Sequence, residues 1–272
     1  MQLKTLHEAE QITQKELSGL VQLRDTLSLT NLASEHRDLI FIRGNDVNVD
    51  ASLIERIQQR ESDYLQLLKV IEKSALANGQ ESTLSLIKNL TNEIKIDHTQ
   101  DTAGMGMLEK YDAFNQAVSN TWKLVRAIAN DAGLSRDNDP KNFFLVKLII
   151  NDLELIIKHQ GIHRSFASIA FKTGNLTSQT LDVFDILLAL LDQDAKNIAL
   201  TLQPLSTDTH LKNASSNVIK QLKLDIITLD DLLLDEEFNQ PWINYFDNSV
   251  QALKVFNVFL EQSTKAIENN LQ

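Results

Sequence analysis

The sequence predicts an all-α protein built as two stacked four-helix bundles sharing their long helices, and three observations carry that reading. Only 8 Gly and 3 Pro occur in 272 residues, too few for the turns that a β-protein needs every ten or so positions. Apolar residues recur at three- and four-residue spacing over long stretches, the helical period. Two of the predicted helices exceed thirty residues, and at ~1.5 Å per residue they reach ~50 Å, the height of two bundles rather than one. We therefore expect one domain over residues 1–272, made of two helical-bundle subdomains.

The elements are taken in chain order. A first helix is expected from Leu3 to Ile42, weakened only by Gly19, with Arg43-Gly44-Asn45-Asp46 as its stop and Gly44 or Asn45 in a left-handed cap. Asp50 caps a second helix that ends at Asn78-Gly79, and a third starts near Ser82 with Leu84, Ile87, Leu90 and Ile94 on one face. Thr99 to Gly106 reads as a loop. A fourth helix covers Met107 to Ala132. A fifth opens at Asp139-Pro140, a cap followed by proline at the first helical position, and runs to Lys172-Thr173-Gly174. A sixth spans Ser178 to Leu202 and stops at Pro204, Asp208 to Glu237 holds one or two more, and the last runs from Pro241 almost to Gln272. The first half of the fifth, Phe143 to Ile150, has almost no polar face, so it is expected to be the most buried helical stretch.

The net charge of −11 argues against a nucleic-acid binder, which needs a basic face, and against an anionic membrane surface. The absence of cysteine excludes disulfides, thiol catalysis and Cys-based zinc sites. No run reaches the ~18 apolar residues of a membrane span. The chain opens and closes inside strongly helical sequence, from which we expect membrane contact only through flanking helices outside it.

Two stripes carry the candidate chemistry. Leu20, Leu23, Leu27, Thr30, Ser34, Arg37 and Phe41 share one face of the first helix, and its apolar start must turn inward. Ile150, Leu153, Ile157, Gln160, Arg164, Ser168 and Phe171 do the same on the fifth. Each stripe thus brings an arginine into the core near a helix end. A weak repeat supports the match, since His36-Arg37 closes at Gly44-Asn45 and His163-Arg164 closes at Gly174-Asn175. A buried guanidinium costs several kcal/mol unless paired. Two pairings are open: a carboxylate on a neighbouring helix, such as Asp63 or Asp185, or an exogenous planar oxyanion held by both arginine forks with Ser34 and Ser168 completing the shell. His159 and His163 have the four-residue spacing of a helical metal pair, but no third ligand accompanies them, and histidines so placed are more often surface residues than a metal site. No phosphate loop, nucleophile elbow or singled-out carboxylate pair appears, so a binding module with no cofactor is expected rather than an enzyme.

Several short stretches resemble the nitrate- and nitrite-sensing (NIT) domain of bacterial receptors. Ala33-Ser34-Glu35-His36-Arg37-Asp38-Leu39 and Arg60-Glu61-Ser62-Asp63 look like its two N-terminal elements, and Ile157 to Gly174, with Gly161 and Arg164 in place, looks like a later one. Tyr111 and Trp242 are similar to its helix-opening aromatics. The matches run from about residue 30 to 260 in the family's order. The resemblance implies two four-helix bundles, Arg37 and Arg164 as ligands of a small anion, and a homodimeric, periplasmic sensor module of a transmembrane receptor. It departs at His36 and His163, which stand where the family has Glu. Other two-bundle helical sensors, which bind organic acids or a periplasmic partner protein, are the alternative.

Overall fold

The computed structural model describes residues 2–45, 51–96, 104–136, 139–203, 208–234, 238 and 240–271. Among them 91% are helical and none lies in a strand. Asp46, Asp50, the segment 97–103, Pro204 and residues 235–237 lie outside the described residues. The helices are α1 (Gln2–Gly44), α2 (Ala51–Ala77), α3 (Glu81–Ile96), α4 (Met107–Ala113), α5 (Gln116–Asp131), α6 (Pro140–Lys147), α7 (Leu153–Thr173), α8 (Ser178–Leu202), α9 (Thr209–Leu234), α10 (Trp242–Ala252) and α11 (Lys254–Leu271). A π-helical turn, Leu148–Asp152, joins α6 to α7.

The apolar stripes decide the packing. Helices α1, α2, α3 and α5 touch in a closed ring, around side chains such as Leu23, Ile57, Leu68, Leu90 and Trp122. Helix α8 packs on α9, α9 on α11, α11 on α6, and α7 on both α8 and α10, around Phe184, Leu191, Leu222 and Phe259. Each such side chain contributes ~1.5–3 kcal/mol by leaving water. The 43-residue α1 belongs to both groups, because it also packs on α7 and α11. Helices α1 and α11 run antiparallel. Asn31 donates to Asn257 at 2.8 Å, while Arg24 and Leu27 lie against Leu260 and Thr264, so the outer ends of both helices point to the same pole.

Several boundaries obey the sequence signals. Asp139 accepts from the Lys141 amide at 2.8 Å with Pro140 at the first helical position, and Thr177 caps α8 through the Thr180 amide. Other expectations need correction. Gly44 stays helical, and Asn45 ends α1 through its side chain, which donates to the Phe41 carbonyl at 2.8 Å. The expected single helix from Met107 to Ala132 breaks at Phe114-Asn115. The last one breaks at Leu253. Gly19 is less a weak spot than a point of close approach: a Cβ there would lie 2.1 Å from the Ala132 Cβ at the end of α5.

The largest correction concerns burial. Phe143 and Phe144 are 42% and 41% exposed, so α6 keeps one open side. Full enclosure comes one helix later, where every residue from His159 to Ala170 is buried. The π turn is the physical reason. It inserts a residue into the helical repeat and rotates the downstream helix by about a hundred degrees, so the apolar run of α6 and the inward stripe of α7 fall on different faces.

Candidate functional site

Helices α1 and α7 cross where their arginines lie, and the crossing is close because residue 161 is glycine. A Cβ at Gly161 would sit 2.2 Å from Arg37 Nη2, 2.6 Å from the Tyr111 hydroxyl and 3.2 Å from Ser34 Oγ. Arg37 and Arg164 are 1% and 0% exposed. Both guanidiniums reach the same carboxylate. Arg37 Nε donates to Asp38 Oδ1 at 3.0 Å, and Arg164 Nε donates to Asp38 Oδ2 at 2.9 Å, with Arg164 Nη2 closer still on the same oxygen. Ser34 Oγ accepts from Arg37 Nη2 at 2.9 Å and from Arg164 Nη2 at 3.4 Å.

The break between α4 and α5 supplies the remaining partners. Asn115 at that break accepts from Arg37 Nη1 at 2.6 Å. Tyr111 donates to Asp38 Oδ1 at 3.2 Å, and its ring lies under the Arg37 guanidinium at 4.4 Å. Burial pushes the Tyr111 hydroxyl well above its usual range, so it stays a neutral donor. Arg164 stacks on the Phe246 ring at 5.4 Å. At the rim Glu35 pairs with Arg60 at 2.7 Å, and burial raises the Glu35 carboxyl against the pull of Arg164 and Arg60.

Two buried guanidiniums share the Asp38 carboxylate, and a second carboxylate, Glu35 at the rim, is drawn by Arg164 as well as by Arg60. Among the described residues Arg164 Nη1 is buried without a hydrogen-bond partner, and so are the hydroxyls of Ser165 and Ser168 on the same helix. No protein-family model, curated protein or solved structure matches this chain. The site therefore has to be read from its own chemistry.

The structure brings together Arg37, Arg164 and Ser34, three of the four residues singled out from the stripes. Ser168 is equally buried but bonds to none of them. The carboxylate that meets the arginines is neither Asp63, which pairs with Arg60 at 3.0 Å, nor the exposed Asp185. It is Asp38, beside Arg37 in the chain. Sequence reasoning passed over it because adjacent helix positions do not share a face. The long Arg37 side chain reaches back to its neighbour all the same. The two histidines take separate partners: His159 Nδ1 lies 2.7 Å from Asp194, and His163 Nε2 lies 2.6 Å from the Tyr245 hydroxyl. Both are buried rather than on the surface. Among the described residues no group of three or more His, Asp or Glu side chains could hold a metal.

A second polar group, not anticipated from the sequence, adjoins the first. Gln160 and Gln221 donate to the two oxygens of Asp225 at 2.8 and 2.9 Å. Burial raises the Asp225 carboxyl to about 6, against the pull of the two amides. Burial, and then the charge of Arg164, lowers His163 to about 4. The two shifts act oppositely on stability. His163 is held neutral, so its contribution is complete above its ordinary value of 6.5 and is lost as pH falls toward 4. Asp225 binds its proton more readily when folded, so folding gains as pH falls from 6 toward 3.8. Each amounts to ~3 kcal/mol. In the native chain they largely cancel. Asp225→Asn should therefore lose ~2–3 kcal/mol more than the native chain between pH 6.5 and 4, the range over which His163 titrates. Urea midpoints measured across that range check this, and parallel pH profiles would refute it.

Proposed function

We propose that this chain is the ligand-binding module of a bacterial transmembrane signalling receptor, and that it takes a small planar oxyanion, nitrate or nitrite, at the Arg37–Arg164 pair. One observation carries the reading: a fully buried arginine fork whose Arg164 Nη1 has no acceptor among the described residues, beside a second arginine that shares its carboxylate. A buried donor without an acceptor costs ~1–3 kcal/mol, and a planar anion with two oxygens in reach removes that cost. The anion would bind between α1 and α7, and its preference for the closed spacing of those helices would bias the bundle between two states.

Titration with sodium nitrate, followed by calorimetry and by melting temperature at constant ionic strength, tests the proposal. Nitrate or nitrite should raise the melting temperature relative to chloride, because a ligand of the folded state stabilises it. Each arginine is worth ~1.5–3 kcal/mol of charge-assisted hydrogen bonding. Arg164→Ala and Arg37→Ala should each weaken binding at least about tenfold, with helical circular dichroism unchanged. Equal response to nitrate and chloride would sink the idea.

A further inference from the structure

The second polar group opens onto a cleft of about 170 Å³ between α7, α9 and α10, lined by Asp225, Gln221, His163, Tyr245, Asn248 and Ser249 among others. Asp225 is only 7% exposed and, among the described residues, has no cationic partner. Its two hydrogen bonds come from neutral amides, and each carboxylate oxygen keeps a lone pair. A buried carboxylate held by neutral donors alone is costly, and such groups are retained where something charged meets them. Among the described residues no lysine or arginine lines the cleft. His163 is 2% exposed, its Nε2 bonds to the Tyr245 hydroxyl at 2.6 Å, and its Nδ1 is buried without a partner among the described residues.

We infer that this cleft is a second ligand site, distinct from the arginine pair, and that it binds the protonated primary amine of a small molecule with Asp225 as counter-ion. The donor and acceptor inventory selects the class. An ammonium group brings three donors and no acceptor. The cleft is lined by Asp225, whose oxygens keep free lone pairs, and by Asn248, Ser249 and Tyr245, each of which carries an oxygen that can accept. Thr228, also in the lining, donates its hydroxyl proton to the Leu224 carbonyl at 2.9 Å and so presents lone pairs. An anion would meet Asp225 with no cation to offset it. The volume equals that of several water molecules at ~30 Å³ each, which suits an amine of a few heavy atoms. The −11 charge of the chain draws cations toward it.

The test uses the full chain at pH 7.5, with ethylammonium chloride as probe and sodium, potassium and tetramethylammonium chlorides as controls. Ethylammonium should bind saturably at one site per chain and raise the melting temperature above every control. Asp225→Asn, which keeps the shape and needs only one glutamine amide to turn over, should weaken ethylammonium binding at least about tenfold. Asn248→Ala, away from the buried carboxylate, should weaken it severalfold and serves if Asp225→Asn fails to fold. Ethylammonium binding is read with chloride as the only anion, without nitrate or nitrite, so this result stands or falls apart from nitrate binding. Three outcomes overturn the inference: no response beyond that to sodium, potassium binding as well as ethylammonium, or full ethylammonium affinity in Asp225→Asn.

Discussion

Asp38→Ala should cost the fold about 3–5 kcal/mol, the usual loss when one partner of a buried ion pair is removed. Here the loss is compounded, because the carboxylate serves two guanidiniums at once. Without it Arg37 and Arg164 would face each other, both fully buried, with Ser34 Oγ and Asn115 Oδ1 as their remaining acceptors. The same variant offers a sharper version of the oxyanion test. Alanine leaves a carboxylate-sized gap between two arginine forks, and formate or nitrate should refill it. The urea midpoint of Asp38→Ala should therefore rise with added formate or nitrate much more than that of the native chain, by mass action on the folded state. A variant within ~0.5 kcal/mol of the native chain, the range of an ordinary surface substitution, would mean that Asp38 does not hold the pair.

Gly161→Ala is expected to run against the normal rule for helices. Alanine in a helix interior ordinarily gains ~0.5–1 kcal/mol over glycine. At residue 161 the new Cβ would overlap Arg37 Nη2 and the Tyr111 hydroxyl, both pinned by bonds to Asp38. Overpacking a core costs ~1–3 kcal/mol, and moving Arg37 disturbs its ion pair as well. We expect a net loss of roughly 2 kcal/mol or more, together with weakened nitrate binding. Gly44→Ala is the control, since its Cβ would meet only the Phe114 ring at an ordinary 3.9 Å. It should be neutral or stabilising by up to ~1 kcal/mol. Equal effects at the two positions would show that α1 and α7 do not touch as closely as the structure has them.

The sequence revealed the arginines because helical spacing is a local signal. Leu20, Leu23, Leu27, Thr30, Ser34, Arg37 and Phe41 are all buried, as the inward face of one stripe requires. The carboxylate that the arginines share was not legible, because Arg37 reaches it by turning back to Asp38, its neighbour in the chain. Asn115 was hidden for a different reason. Nothing in Ala113-Phe114-Asn115-Gln116 breaks a helix by propensity, so the kink that aims Asn115 at Arg37 is set by tertiary packing. The enclosure of His159 to Ala170 was legible in part: the inward stripe held Gln160, Arg164 and Ser168, while His159 and His163 read as surface residues. Polar composition signals exposure only when no other helix brings hydrogen-bond partners, and here Asp225 and Tyr245 do so for Gln160 and His163.

The π turn at Leu148–Asp152 behaves like an edge dislocation in a crystal, one surplus lattice step that sets two ordered regions out of phase. Arg126 pins it in place, donating to the Ile150 carbonyl at 3.4 Å and gripping Glu154 one turn further on. The angular setting of everything downstream, Arg164 included, is therefore fixed at a single defect about a dozen residues upstream. If the defect glided by one turn, or were annealed by losing one residue, α7 would roll on its axis and carry the Arg164 fork away from Asp38.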